Sequence, residues 1–249
     1  MDNKIFNWCG YEWLTEERWG NLHPDRPWAW DDPGCVKVND NNELELSIDL
    51  NPKKIIINGR EYNPNYGMGL VSTTVNNPKF KYGHYEWIAK MPKGKHLWPA
   101  LWMWSWDSWP PEIDVVEAWT NCGGGYFRLN YKWHPLVWNL QTNYHEPNED
   151  GSMAQCCSVF DMPDPARNFI KYELIWLPGE LQFWYNDKQV RTINDPEFMK
   201  YLNENTNNGM NIIMNIHPTE KYHEGELKTT MLVKSFKYTP IQMTGKFIK

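Results

Sequence analysis

Turn-forming residues punctuate this chain about every ten positions, and most runs between them alternate apolar with polar side chains. Val36-Lys37-Val38 and Glu43-Leu44-Glu45-Leu46-Ser47-Ile48 alternate on either side of Asn39-Asp40-Asn41-Asn42, the pattern of a hairpin. Gly69 to Thr74 and Gly83 to Met91 read as two more strands. Residues 169–177 and 181–186 form another pair around Pro178-Gly179-Glu180. Phe127 to Trp133, Gln189 to Ile193, Asn211 to Ile216 and Thr229 to Tyr238 complete the set. A strand with period-two alternation buries one face, so a chain made of such runs must pair them into sheets and stack the sheets. The expected fold is all-β, a two-sheet antiparallel β-sandwich of jelly-roll type. Asp195-Pro196-Glu197-Phe198-Met199-Lys200-Tyr201-Leu202 is the exception. Its N-capping aspartate, first-turn proline and early glutamate specify a short helix.

At 249 residues, with 41% hydrophobic and 22% charged residues, the chain can bury a sizeable core. No internal repeat, low-complexity tract or linker divides it, so residues 1–249 read as one domain. Residues 1–35 form an N-terminal arm packed on that domain. Residues 51–67 and 139–168, rich in chain-breaking or polar residues, read as loops shaping the ends of a groove. A net charge of −6 disfavours a nucleic-acid partner, because phosphate binding needs a basic face. The most apolar stretch, Leu97 to Trp106, is too short and too interrupted to cross a membrane. Five cysteines leave at least one unpaired, and none has the spacing of a zinc site. Free, mostly buried thiols are the expectation, with Cys9–Cys35 the one pair suggested for a bridge. Sixteen tryptophans and thirteen tyrosines supply flat apolar faces with polar edges, which suit sugar rings as well as a β-core.

The chemistry concentrates in Trp109-Pro110-Pro111-Glu112-Ile113-Asp114-Val115-Val116-Glu117-Ala118-Trp119. Three carboxylates fall within six residues, interleaved with β-branched side chains that favour a strand. Glu112 and Asp114 point the same way, and strict alternation would put Glu117 on the opposite face. One extra residue at Val115-Val116, a β-bulge, would return Glu117 to the same side. Like charges so close cannot all ionise freely, so one should keep its proton, as a general acid needs. Two carboxylates on one rigid strand suit glycoside hydrolysis. The other reading is an acidic patch or cation site, although the spacing is not that of a calcium loop.

Glu112-Ile113-Asp114-Val115-Val116-Glu117 resembles the signature of glycoside hydrolase family 16 in its bulged form. Gly69-Leu70-Val71-Ser72-Thr73, Tyr82-Gly83-His84-Tyr85-Glu86-Trp87 and Leu97-Trp98-Pro99-Ala100-Leu101-Trp102 resemble that family in the same order. So do Tyr172-Glu173-Leu174-Ile175-Trp176-Leu177-Pro178-Gly179 and Phe183-Trp184-Tyr185-Asn186-Asp187-Lys188. The resemblance implies a concanavalin A-like jelly roll with an open groove, and with it a retaining endo-acting hydrolase. Glu112 would be the nucleophile, Glu117 the acid and then base, and Asp114 the residue that tunes Glu112. The expected substrate is a β-1,3- or β-1,3/1,4-glucan, with a marine galactan (agar, porphyran or carrageenan) as the alternative. A binding sandwich without turnover is the alternative from another class.

Trp98 and Trp102 share a strand face opposite Leu101 and Met103, which assigns both to the substrate groove. Trp119, at the end of the carboxylate stretch, is a further substrate-binding candidate. The resemblance places a histidine on the strand after the carboxylates, and Asn130 and His134 compete for that position. Trp19, Asn21 and Asn215 are further candidates on family grounds. The reaction requires no cofactor, no metal-ligating residue is assigned, and the resemblance admits a structural calcium away from the groove. The protein is expected to act as a monomer on an extracellular polysaccharide, although the chain opens with no apolar signal segment.

Overall fold

In the computed structural model, the described residues are 4–17, 20–23, 27–94, 96–119, 127–129, 132–134, 139–148, 153–155, 157–159, 162–219 and 228–241. They form two large sheets, two small hairpins and one α-helix. The first sheet runs Ile5–Trp8, Tyr11–Leu14, Leu70–Thr73, Met210–Pro218, Leu97–Ser105, Glu112–Trp119, Asn139–Glu146, with Met153–Ala154 and Cys157–Val159 on its last edge. The second runs Lys188–Ile193, Glu180–Tyr185, Ile170–Leu177, Gly83–Lys90, Thr229–Pro240, Leu44–Leu50, Tyr66–Met68, Ala29–Asp31, with Val36–Val38 paired to Leu44–Leu50. Among the described residues every ladder is antiparallel except Ala29–Asp31 with Tyr66–Met68. This is the expected sandwich.

The inner faces meet in a core dense with aromatic rings. Trp13, Trp87, Trp176, Tyr85, Tyr172, Tyr185 and Phe183 are fully buried among Leu44, Leu46, Ile48 and Val116. Each comes from a strand whose alternate residues face outward, as the burial pattern of Gly83–Lys90 shows residue by residue. The chain changes sheets at Gly69. Tyr66–Met68 belongs to the second sheet and Leu70–Thr73 to the first. A Cβ at Gly69 would lie 2.6 Å from the Cys35 carbonyl oxygen and 2.8 Å from the Leu46 Cα, so only glycine fits this crossing.

Four expectations change. Residues 5–14 do not lie over the sandwich as a loop. Ile5–Trp8 and Tyr11–Leu14 pair across a turn at Cys9-Gly10, both with positive φ, and extend the first sheet at its edge. Trp8 and Trp13 are buried there, and the aromatic character of this segment is core-forming. Within 51–67, Ile55–Ile57 and Arg60–Tyr62 form a small hairpin turning at Asn58-Gly59. Phe127 to Trp133 is not one strand but a hairpin of Phe127–Leu129 with Lys132–His134. Most consequentially, 139–168 is not all loop. Asn139–Glu146 pairs along the whole carboxylate strand. Its inward positions include buried Thr142, whose backbone and hydroxyl oxygens accept from Arg191 of the second sheet at 3.0 and 3.1 Å. A threonine at a core position breaks the apolar alternation that sequence reading relies on.

The helix forms as expected over Pro196–Glu204. The Asp195 carboxylate accepts from the Phe198 N–H at 2.8 Å, and Phe198, Met199 and Leu202 are buried. Cys9 and Cys35 are free thiols, so the suggested bridge is absent; burial pushes the Cys35 thiol up to about 11. No helix among the described residues is long and apolar enough to cross a membrane.

One contact joins the sheets at the carboxylate strand. The Tyr185 hydroxyl, from the second sheet, donates to the Val115 carbonyl at 2.7 Å, and both residues are fully buried. Removing this donor leaves a buried carbonyl unsatisfied, at a cost of about 1–3 kcal/mol. Tyr185→Phe should therefore lower the thermal midpoint by several degrees in a scanning fluorimetry or calorimetry experiment. An unchanged midpoint would show that the bond contributes nothing.

Candidate active site

The bulge lies where the sequence suggested. Against Leu97–Ser105, Glu112, Ile113 and Asp114 pair with Trp104, Met103 and Trp102; the register then shifts, and Val116 and Glu117 pair with Leu101 and Ala100. The same shift appears against Asn139–Glu146 between Asp114 and Glu117. Ile113, Val115, Val116 and Ala118 all sit in the core, while Glu112, Asp114 and Glu117 point away from it. The bulge thus puts two consecutive valines inward and returns the third carboxylate to the outer face.

Each carboxylate has a distinct setting. Glu112 accepts from the Trp109 indole N–H at 2.6 Å through Oε2, and its Oε1 lies 3.3 Å from His145 Nε2. Asp114 is buried, with Oδ2 3.7 Å from the same nitrogen. Glu117, also buried, accepts from the Trp98 indole at 2.8 Å and from the Asn143 amide at 3.3 Å. These contacts on Glu117 come from neutral donors, which satisfy its oxygens without supplying a positive charge. Burial holds the His145 pKa below the ordinary histidine value, so the ring is neutral at neutral pH.

Trp98 and Trp102 are half-buried on the carboxylate side of their strand, whereas Leu101 and Met103 lie in the core. Trp102 donates to Asn215 Oδ1 at 2.7 Å, which places Asn215 at the site and fixes the indole plane. Trp104 shares their face but is buried beneath Leu70 and Ile213. Trp98 also meets the His217 ring edge-on at 6.2 Å, and His217 meets Trp28 at the same distance. An aromatic rim therefore leads from Glu117 toward the N-terminal segment.

Asn130 and Trp19 lie outside the described residues, as do the side chains of Trp119 and His134. Among the described residues, the histidine that contacts the carboxylates is His145, opposite Glu112 in register. Sequence reading missed it with Asn143 and Trp109. Asn143 and His145 alternate around Tyr144, a strand signal hidden in a polar stretch. Asn21 lies elsewhere, on a cavity of about 440 Å³ lined also by Trp30, Asp31, Asp32 and Lys53. The carboxylates do not line this cavity.

Among the described residues two clusters offer three metal-capable side chains, Glu112 with Asp114 and His145, and His84 with Glu86 and Glu173. Both include an imidazole nitrogen. Neither is the all-oxygen set that calcium takes, so these residues do not fit the structural calcium admitted by the resemblance.

Asp31 is fully buried beside that cavity, and desolvation raises its pKa to about 7 despite an accepted bond from the Glu17 N–H. Its folded pKa exceeds its unfolded value, so its contribution is fully present below about pH 4 and is lost as pH rises through 7. Asp31→Asn removes that dependence. Thermal midpoints measured from pH 4 to pH 8 should show the variant gaining on wild type as pH rises; a constant gap would contradict the burial argument.

The chain matches the model of the glycosyl hydrolases family 16 over residues 25–232. It is 50% identical over 201 residues to a glucan endo-1,3-beta-glucosidase of Cryptopygus antarcticus, covering 72% of this chain and 67% of the relative. It is 31% identical over 129 residues to a beta-1,3-glucan-binding protein of Penaeus monodon, covering 49% of this chain and 34% of that protein. The chain spans about a third to two-fifths of the length of the first two curated relatives it matches. The crystal structure of a laminarinase catalytic domain from Thermotoga maritima superimposes with a TM-score of 0.64 at 18% identity, covering 92% of each chain. That likeness shows a common fold.

Proposed function

The chain belongs to family 16 of the glycosyl hydrolases, and from that premise we propose that it is a retaining, endo-acting hydrolase of a β-1,3-linked glucan. The observation that carries this reading is the bulge at Val115-Val116. It brings Glu112, Asp114 and Glu117 to one face of a rigid strand.

In this mechanism Glu112 attacks the anomeric carbon and forms a glycosyl-enzyme, while Glu117 protonates the departing oxygen. Glu117, then ionised, takes a proton from the water that releases the sugar. The Trp109 indole N–H orients one Glu112 oxygen, and His145, which also contacts Asp114, flanks the other. A carboxylate held by fixed donors needs little reorganisation before attack, which is the benefit of a prearranged site. The neutral donors on Glu117 suit a group that must gain and lose a proton in each cycle.

The half-buried faces of Trp98 and Trp102 supply the platform for sugar rings. A β-1,3-glucan is favoured by the relative that is 50% identical over 201 residues, whose name specifies that linkage. A mixed β-1,3/1,4-glucan fits the same platform, and a galactan is the wider alternative. The similarity to a glucan-binding protein favours a second reading, in which the same surface binds without cleaving. Three crowded carboxylates are a cost that binding alone does not require.

An assay for reducing ends on laminarin, lichenan, agarose, porphyran and carrageenans separates these readings. Laminarin should be cleaved to short oligosaccharides whose first-formed anomer is β by proton NMR. Glu112→Gln should lower turnover by about 10⁴-fold or more while laminarin binding persists. A Glu112→Gln protein near the wild-type rate would overturn the nucleophile assignment, and retained binding without cleavage by wild type would favour the binding reading.

A further inference from the structure

We propose that Glu112, Asp114 and His145 form a reversible inhibitory site for a first-row divalent cation, with zinc as its representative. As regulation of the catalytic site, the inference rests on the reading of Glu112 as nucleophile.

The donor geometry is the first argument. Glu112 Oε1 and Asp114 Oδ2 lie 3.3 and 3.7 Å from His145 Nε2, and the three donor atoms fall within 4.8 Å of one another. Zinc bonds of about 2.0–2.1 Å in a tetrahedral arrangement separate neighbouring ligand atoms by roughly 3.4 Å. The two carboxylate oxygens already stand near that spacing from the imidazole nitrogen and within 4.8 Å of each other, so side-chain rotations can close the site. Backbone pairing sets the positions. Glu112 and Asp114 are two residues apart on one strand, and His145 is the register partner of Glu112 on the next. The Trp109 N–H occupies Glu112 Oε2 and leaves Oε1 turned toward His145.

Donor chemistry is the second argument. Two carboxylates stand 3.3 and 3.7 Å from one imidazole nitrogen. The mixed set of one imidazole and two carboxylates suits zinc, copper or nickel over calcium and magnesium, which prefer oxygen alone. Glu112 and His145 keep side-chain exposures of 15% and 19%, enough for a small cation to enter from the groove. Three protein ligands leave a fourth position for water. A cation there would occupy the attacking oxygen of Glu112, so metal and polymer would compete.

The second cluster, on the outer face of the other sheet, provides a contrast. There Glu173 is engaged by His84 at 2.9 Å and by the Lys171 ammonium at 3.0 Å. A fixed ammonium on one ligand repels an incoming cation. Glu86→Gln in that cluster therefore serves as a control for stray binding.

The test is isothermal calorimetry with zinc chloride on protein free of any affinity tag, alongside laminarin hydrolysis. Wild type and Glu86→Gln should each bind one zinc with the same affinity. His145→Phe and Glu112→Gln, shown to be folded by their thermal midpoints, should bind at least about tenfold more weakly. Zinc should inhibit hydrolysis competitively, with full recovery on adding EDTA. Equal binding by wild type and both site variants, or no binding at all, overturns the proposal. So does loss of binding in Glu86→Gln, or zinc bound at the site without inhibition of an active enzyme. An enzyme inactive on every polymer would sink the hydrolase reading while leaving calorimetry to decide the metal site.

Discussion

The hydrogen bond from Tyr185 to the Val115 carbonyl holds the place where the first sheet departs from its own period. A bulge frees backbone groups from the ladder, and a freed carbonyl in a dry core needs a donor. Tyr185 supplies one from the opposite sheet while its ring fills the core. Burial raises the phenol pKa well above its ordinary value, so it stays a donor at any pH the fold survives. The position of Glu117 therefore depends on packing made on the far side of its own strand. The geometry of the carboxylates and the integrity of the core share this contact.

The site has the same economy in its electrostatics. Indole and amide N–H groups from Trp98, Trp109 and Asn143 hold the carboxylates, and a neutral histidine stands between two of them. Such donors fix direction without supplying a positive charge. Trp102, held by Asn215, and Trp98, held by Glu117, present rings of fixed orientation. One set of interactions thus aligns both the carboxylates and the indole faces beside them.

Much of this was legible in the sequence, for definite reasons. The bulge could be read because three carboxylates at that spacing share a face only if one residue is added, and the valines mark where. Trp98 and Trp102 could be read from parity against Leu101 and Met103. His145 could not, because its strand buries Thr142 where an aliphatic residue would signal a core face, and it is stabilised by Arg191 from a distant strand. The buried edge formed by residues 5–14 was hidden similarly. Its alternation spans only four residues on each side of Cys9-Gly10, too short to stand out among the tryptophans and acidic residues around it. Long-range partners, rather than local preference, made those two strands.

The order of strands has a consequence for how the chain is made. Met210–Pro218 sits between Leu70–Thr73 and Leu97–Ser105, and Thr229–Pro240 sits between Leu44–Leu50 and Gly83–Lys90. Each sheet therefore stays in two halves until these late segments arrive. A chain emerging from a ribosome would carry all three carboxylates on a half-sheet before Met210–Pro218 joined it to the rest. Its open edges would meanwhile expose unpaired backbone to other nascent chains. Assembly of this sandwich is a closing step, made by the two late strands that lock both halves together.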